Sequence, residues 1–556
     1  MEKDERDVQI EQLQATIKDQ DIEIKVLKKM VSILSKESDA EKLKALRMRL
    51  RKLYESATEQ LYLFDDVETT TELGALEETP EDVSIDVSGY TRKKSRSGCN
   101  LPANTPVVDV YDDEGPSTCS RCGATQVKAG EKVYESFTRI ERTVIVRRHV
   151  QQYTCPACTP DDGEGRIVET PKTGNMLDGT ILDPTLFASF VENKFAYAQT
   201  LFREAQKLAD IGISRFTISS WLMKVGTVLE RNMVPCLEKL IYSYPLVNVD
   251  ETPVKVLGLK DEDGNPKAPH SRHNAWMIVR AACDSKGRHG PVMFTFSDNR
   301  RNETLANYLK SYTGVVQTDG LSGYDNAEKV GGFTHIDCLV HARRKAVEAC
   351  DKRKSGKAFE LLKIYASFFH KEGLLKDRFD NGEFATPEDY VSERRAVLEP
   401  ILNEIHEFCV ENVNKVLPGT TSPAFNYPLQ RWDTLIRFLD YPFATSSNQR
   451  AENAIRPFCV GRRNWLFSVT ESGAKVSAFY YSLVESCKAL GINTQDYLTW
   501  LVMNAGKIKD GDEEAWMSML PGKSDISSAI KYREMIFTAA PDPDRTEPYK
   551  LRGKRV

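Results

Sequence analysis

The chain has 556 residues, too many for one hydrophobic core, so several structural units are expected. Hydrophobic residues make up 40%, and no apolar run reaches bilayer length, which argues against a membrane protein. The net charge of −5 speaks against a nucleic-acid partner over the chain as a whole. Affinity for phosphates, however, depends on local patches, and basic residues cluster at 91–96, Arg147-Arg148, Arg300-Arg301, Arg343-Arg344-Lys345 and Arg462-Arg463.

The first residues, MEKDERDVQIEQLQ, contain no apolar h-region, so no signal peptide and a cytoplasmic location are expected. In that compartment the 12 cysteines are expected to be thiols or metal ligands rather than disulfides. Residues 1–61 read as a coiled-coil helix, because Ile10, Leu13, Ile17, Ile24, Leu27, Val31 and Leu34 repeat at heptad spacing. The phase slips near 35–39 and restarts at Leu43, which predicts self-association into a homo-oligomer. Residues 62–100 read as a linker, acidic and Thr-rich and then basic.

Residues 101–175 carry two matched pairs, Cys119/Cys122 and Cys155/Cys158. Such pairs can close one tetrahedral four-sulfur zinc site, and the β-branched and aromatic residues between them suit a ribbon hairpin. Residues 180–235 read as a helix-turn-helix, with a tight turn at Gly212 and a second helix capped by Ser214. This arrangement would turn Arg215, Thr217, Ser219 and Ser220 toward a DNA groove. A plain helical hairpin would show similar apolar spacing.

Between 240 and 345 the pattern changes to strands, in the order β-β-β-α-β-α-β, which is that of a ribonuclease-H-like α/β core. That fold puts one acid on the first strand, one just after the fourth, and a third on a later helix. Asp250, Asp319 and Glu452 meet these conditions. Taken singly, Asp250 is an ordinary strand acid and Asp319 a turn-former before Gly320. Glu251 is expected on the opposite face by strand alternation. A helical insertion, 346–430, separates this part from a second core part, 431–500. A tail, 501–556, is expected to be mobile after about 520.

Three carboxylates suit two magnesium or manganese ions about 4 Å apart, which activate the nucleophile and stabilise the leaving oxygen in phosphodiester chemistry. Asp250 would bridge both ions, with Asp319 and Glu452 holding one each. Arg343, Arg344, Arg456, Arg462, Arg463 and Trp465 are the candidate contacts to DNA backbone and ends.

The segments VDETPVKVL, VVQTDG, HARRK and AENAIRPFCVGRRNWLFS, with YSLVESCKALGINTQDYL, together resemble the insertion-sequence-66 family of DDE transposases. The resemblance implies a multidomain α+β enzyme that binds transposon ends, cuts them, and joins 3′-hydroxyls to target DNA. It also implies element-encoded accessory proteins as partners. Asp250, Asp319 and Glu452 are implied as the catalytic acids, and the four cysteines as ligands of one zinc. The family's Asp-Asn-Asn before the third acid reads Ser447-Asn448-Gln449 here, and its Cys-Trp-Ala-His reads Cys338-Leu339-Val340-His341. The alternatives are a DNA-binding regulator with an idle core, and a nuclease that cuts without joining.

Overall fold

A computed structural model describes residues 174–538 except 179, 210, 260–274, 351–355 and 416–421, together with 146, 153–154 and 168–169. The expected coiled coil, the linker and the four ribbon cysteines lie outside the described residues. Within the ribbon segment the structure describes a short antiparallel ladder, Tyr153–Thr154 against Val168–Glu169. Among the described residues, no helix is long and apolar enough to cross a membrane.

The described chain is a mixed α+β structure around one five-stranded sheet. Its strands are β1 (Leu246–Val254), β2 (Ala275–Cys283), β3 (His289–Ser297), β4 (Val315–Thr318) and β5 (Thr334–Asp337). They lie in the order β3-β2-β1-β4-β5. The first three pair antiparallel, while β1–β4 and β4–β5 pair parallel. Parallel neighbours need crossovers. Helix α4 (Asn302–Leu309) precedes β4, and α5 (Ser322–Gly331) crosses from β4 to β5. The order of elements is the one expected from the hydrophobic pattern. Strand β2 is buried along almost its whole length, which explains its nearly unbroken apolar sequence.

Before the sheet come α1 (Pro184–Phe195), α2 (Leu201–Lys207) and α3 (Arg215–Tyr242). The sequence suggested one helix across the first two, but the chain breaks between them. Ala198 takes φ 56°, and the Thr200 side chain caps α2 by accepting the Arg203 N–H. The turn at Gly212 adopts φ 74°, a conformation that favours glycine. Ser214 caps α3 as expected, accepting the Thr217 N–H at 3.2 Å. Helix α3 is much longer than a typical recognition helix. Its buried face, from Ile218 and Trp221 to Ile241, belongs to the main core, and Trp221 stacks on Phe190 of α1.

After β5 the insertion forms α6 (Leu339–Ala349), α7 (Lys357–Asp380), α8 (Pro387–Asn412), α9 (Ser422–Gln430), α10 (Trp432–Ile436) and a 3-10 turn, Arg437–Asp440. It has its own hydrophobic core, which reaches the sheet through Leu246, Cys283, Val315 and Ile336. The chain then returns through α11 (Gln449–Trp465), α12 (Glu471–Ala489), α13 (Thr494–Asn504), α14 (Glu513–Ser518) and α15 (Ser527–Thr538). The described end of the tail departs from expectation. Helix α15 is docked by a hydrogen bond from Tyr532 to Asp183 and by the Arg533–Asp496 ion pair.

Helix α12 also closes an edge of the sheet. Ser486 accepts the Val292 N–H and donates to the Val292 carbonyl, both at 2.9 Å. One turn earlier, Ser482 accepts the Phe294 N–H at 2.8 Å. Two serines at i, i+4 therefore satisfy the outward groups of edge strand β3, which would otherwise be orphaned under a packed helix. Ser486→Ala is expected to destabilise the fold by about 1–3 kcal/mol, since it strands a buried donor and acceptor. Urea unfolding measures this, and an unchanged midpoint would refute the seal.

Candidate active site

Asp250 lies in the middle of β1, and Asp319 directly follows β4. The last parallel pair between these strands is Asn248–Gln317. Each acid is two residues beyond its member of that pair, so strand alternation puts both on the same face, at neighbouring positions. Gly320, at φ 89°, then turns the chain away, and Tyr427 donates to the Asp319 carbonyl at 3.0 Å. Glu452 lies in the first turn of α11, which packs on β1.

A buried amide chain ties these three elements together. The Asn248 Nδ2 donates to Gln317 Oε1 at 2.9 Å and to Asn448 Oδ1 at 3.1 Å. Asn448 Nδ2 donates to the Val249 carbonyl at 2.9 Å. Gln317 Nε2 donates to the Thr445 carbonyl at 2.7 Å. Asn448 sits just before α11, Val249 just before Asp250, and Gln317 two residues before Asp319. The amides therefore hold all three acid-bearing elements in register.

Asp319 and Glu452 are close enough to oppose the ionisation of Asp250. Burial, then the charges of Glu251, Asp319 and Glu452, push the Asp250 carboxyl up to about 8, although its Oδ1 accepts the Glu251 N–H at 2.8 Å. Nearby acids are paired with other groups. Glu251 is held by Arg300 at 2.5 Å and by the Tyr324 hydroxyl at 3.0 Å. Arg431 binds Asp325 at 2.7 Å and Asp337 at 2.5 Å. Although burial opposes it, hydrogen bonds from His335 and Arg431 hold Asp325 below the usual carboxylate range.

Glu452 faces α6. His341 Nε2 lies 3.6 Å from Glu452 Oε1, and the half-exposed Arg344 lies 3.6 Å from Oε2. Burial lowers the His341 pKa, so the imidazole is neutral at pH 7. Cys338 completes a group with His341 and Glu452 whose ligand atoms all lie within 4.8 Å of one another. The sequence alone assigns no role to Cys338 and does not reveal the amide chain. The Cys-x-x-His spacing was a usable signal for the first, whereas nothing local marks the second.

The candidate DNA contacts are placed differently. Arg456 is exposed on α11. Arg462 turns inward, donating to the Thr252 hydroxyl and the Pro253 carbonyl. Trp465 packs against the main core, edge-on to Phe458. The Arg343 guanidinium sits 5.8 Å from the Phe369 ring of the insertion, and Arg463 is half-buried. On α3, Arg215 is exposed, whereas Thr217, Ser219 and Ser220 are half-buried.

The strain on Asp250 predicts a pH dependence for metal-free protein. Unfolded, this carboxyl ionises near pH 4; folded, it holds its proton to about 8. Between those values the native state carries a proton that the unfolded state lacks, so stability falls as pH rises. Asp250→Asn removes that slope. Wild-type protein is expected to lose stability relative to the variant between about pH 5 and about pH 8 in denaturant titrations. Parallel profiles would contradict the assignment.

Comparison with known proteins agrees with the geometry. The profile described as "Transposase IS66 family" matches residues 179–476, more than half of the chain. Three proteins of Sinorhizobium fredii (strain NBRC 101917 / NGR234) are similar along most of their lengths. "Uncharacterized protein y4jD" is 25% identical, covering 83% of this chain and 89% of its own. "Uncharacterized protein y4hP" is 26% identical, over 80% and 79%. "Uncharacterized protein y4qI" is 24% identical, over 78% and 80%. On the extent of the family match, spanning the sheet, the insertion and the helix that carries Glu452, this chain belongs to the IS66 transposase family.

Proposed function

We propose that the protein is a DDE transposase that cuts transposon ends and joins them to target DNA, using Asp250, Asp319 and Glu452 on a ribonuclease-H-like core. The observation that carries this reading is the set of three carboxylates on β1, after β4 and on α11, with the charges of Asp319 and Glu452 adding to burial and Glu251 in raising the Asp250 pKa. The strand order β3-β2-β1-β4-β5, with three antiparallel strands and then two parallel ones, supports the core assignment.

The residues fit a hard divalent cation. Burial and the neighbouring acids Glu251, Asp319 and Glu452 raise the Asp250 pKa, and the donors are oxygens. Asp250, Asp319 and Glu452 would hold two magnesium or manganese ions. When bound, such ions activate the attacking oxygen and stabilise the departing one. The amide chain ties together the elements that carry the three carboxylates without adding positive charge. Arg344 and Arg456, exposed on α6 and α11, supply positive charge for the DNA backbone near Glu452.

In this reading the N-terminal helix, 1–61, pairs copies of the chain, as cutting two ends requires. Cys119, Cys122, Cys155 and Cys158 hold one structural zinc, and the segment from α2 into α3 contacts the terminal repeats through Arg215. Element-encoded accessory proteins would join the assembly, which acts in the cytoplasm on the nucleoid.

The test is incubation of the full chain with the terminal repeats of its element and magnesium, scoring 3′-end cleavage and strand transfer. Asp250→Asn, Asp319→Asn and Glu452→Gln are each expected to reduce both steps by at least about a thousandfold while leaving end binding intact. Cleavage that survives Asp319→Asn would overturn the triad. Cleavage without joining would favour a nuclease.

A further inference from the structure

The acids are not the whole of the ion-binding chemistry on this face. Cys338 occupies the position before α6, His341 follows in its first turn, and Glu452 comes from α11. One sulfur, one imidazole nitrogen and one carboxylate oxygen all lie within 4.8 Å of one another. A tetrahedral zinc with bonds of about 2.0–2.3 Å holds its donors about 3.5 Å apart, so the group is within about 1.3 Å of ligand spacing. Sulfur and imidazole make a poor set for magnesium and a good one for zinc.

The contacts of His341 mark the place a cation would take. Its Nε2 lies 3.1 Å from Arg344 NH1. A guanidinium can only donate, so Nε2 presents its lone pair to a positive group. The same arginine reaches Glu452 Oε2 at 3.6 Å. It therefore fills, from a half-exposed position, the place where an ion would meet both ligands. The Cys338 sulfur is fully buried and accepts the Asn448 N–H at 3.1 Å, so it is fixed in place with its electron pairs engaged as acceptors.

We propose that Cys338, His341 and Glu452 form a binding site for a zinc-class divalent ion, and that Arg344 is the displaceable charge occupying it in the ion's absence. The fourth position would be left to water or a substrate oxygen. Because Glu452 is shared with the carboxylate cluster, zinc bound here competes with magnesium for that side chain. The site itself rests on the three donors and stands whether or not the transposase reading does.

The experiment compares zinc content of the full chain after equilibrium dialysis, with cobalt substitution as a spectroscopic check on sulfur ligation. Cys338→Ser is expected to hold one zinc fewer per chain than wild type and to lose the corresponding part of the thiolate–cobalt charge-transfer band. His341→Gln, which leaves the buried sulfur alone, is expected to weaken that zinc by about tenfold or more. Arg344→Ala is expected to tighten it, an effect that a purely structural role for the arginine would not produce. Circular dichroism confirms that each variant is folded. Asp250→Asn should retain the zinc, so failure of the catalytic triad and failure of this site are separable. Equal zinc content and equal cobalt spectra in wild type and folded Cys338→Ser and His341→Gln would overturn the proposal. So would unchanged or weaker zinc binding in Arg344→Ala.

Discussion

Carboxylates that repel one another stay together only if something holds their backbones in place. Here that constraint is the buried amide chain through Gln317, Asn248 and Asn448. Each amide is hydrogen-bonded at both ends: the Cys283 thiol donates to the central Asn248 Oδ1, and the Thr445 and Val249 carbonyls close the outer positions. A fully satisfied buried network is rigid, and loss of one member leaves the others unpaired in a low-dielectric interior. Its neutrality matters as much as its stiffness. Cations in the same positions would hold the strands and helix together but would also cancel the negative charge that an ion-binding site needs.

The charge pattern around the cluster follows the same logic. Glu251, Asp325 and Asp337 each have an arginine partner, in Arg300 or Arg431. Asp250 has none among its neighbouring charges, which are all acidic. Glu452 has only the looser, half-exposed Arg344 and the neutral His341. Structural acids and candidate catalytic acids are thus separated by which of them are paired, over distances of a few residues.

The insertion acts as a buttress behind α11. Glu372 of α7 pairs with buried Arg394 of α8 at 2.9 Å and also accepts the Ser446 N–H at 3.0 Å. Ser446 lies two residues before Asn448, and its carbonyl accepts the Leu339 N–H at the start of α6. A buried ion pair with its remaining lone pairs satisfied gives geometric definition more surely than net stability. Here it fixes the loop that launches the helix bearing Glu452. On the opposite side of the sheet, Ser482 and Ser486 close the β3 edge, so the sheet is bounded by the molecule's own helices.

The strands were legible in the sequence because each is a short run of β-branched and aromatic residues bounded by breakers, as in AWMIVRAAC and GPVMFTFS. Their order identified Asp250 and Asp319, since an acid at a strand's centre or end is a local signal. The insertion could also be seen, as a long amphipathic stretch between the second and third acids. What could not be read were contacts between residues distant in the chain. No local pattern marks Asn248, Gln317 and Asn448 as one network, turns Arg462 and Trp465 inward, or brings Cys338 and His341 to Glu452. Periodicity also merged α1 and α2, because the break at Ala198 is held by a distant partner, Asn464, which donates to its carbonyl at 2.8 Å. The sequence by itself determined which elements form and which acids they carry, because hydrophobic period and turn chemistry act over a few residues. Only the tertiary structure decided which acids pair with an arginine and which lie among other acids, because that depends on side chains brought together across the fold.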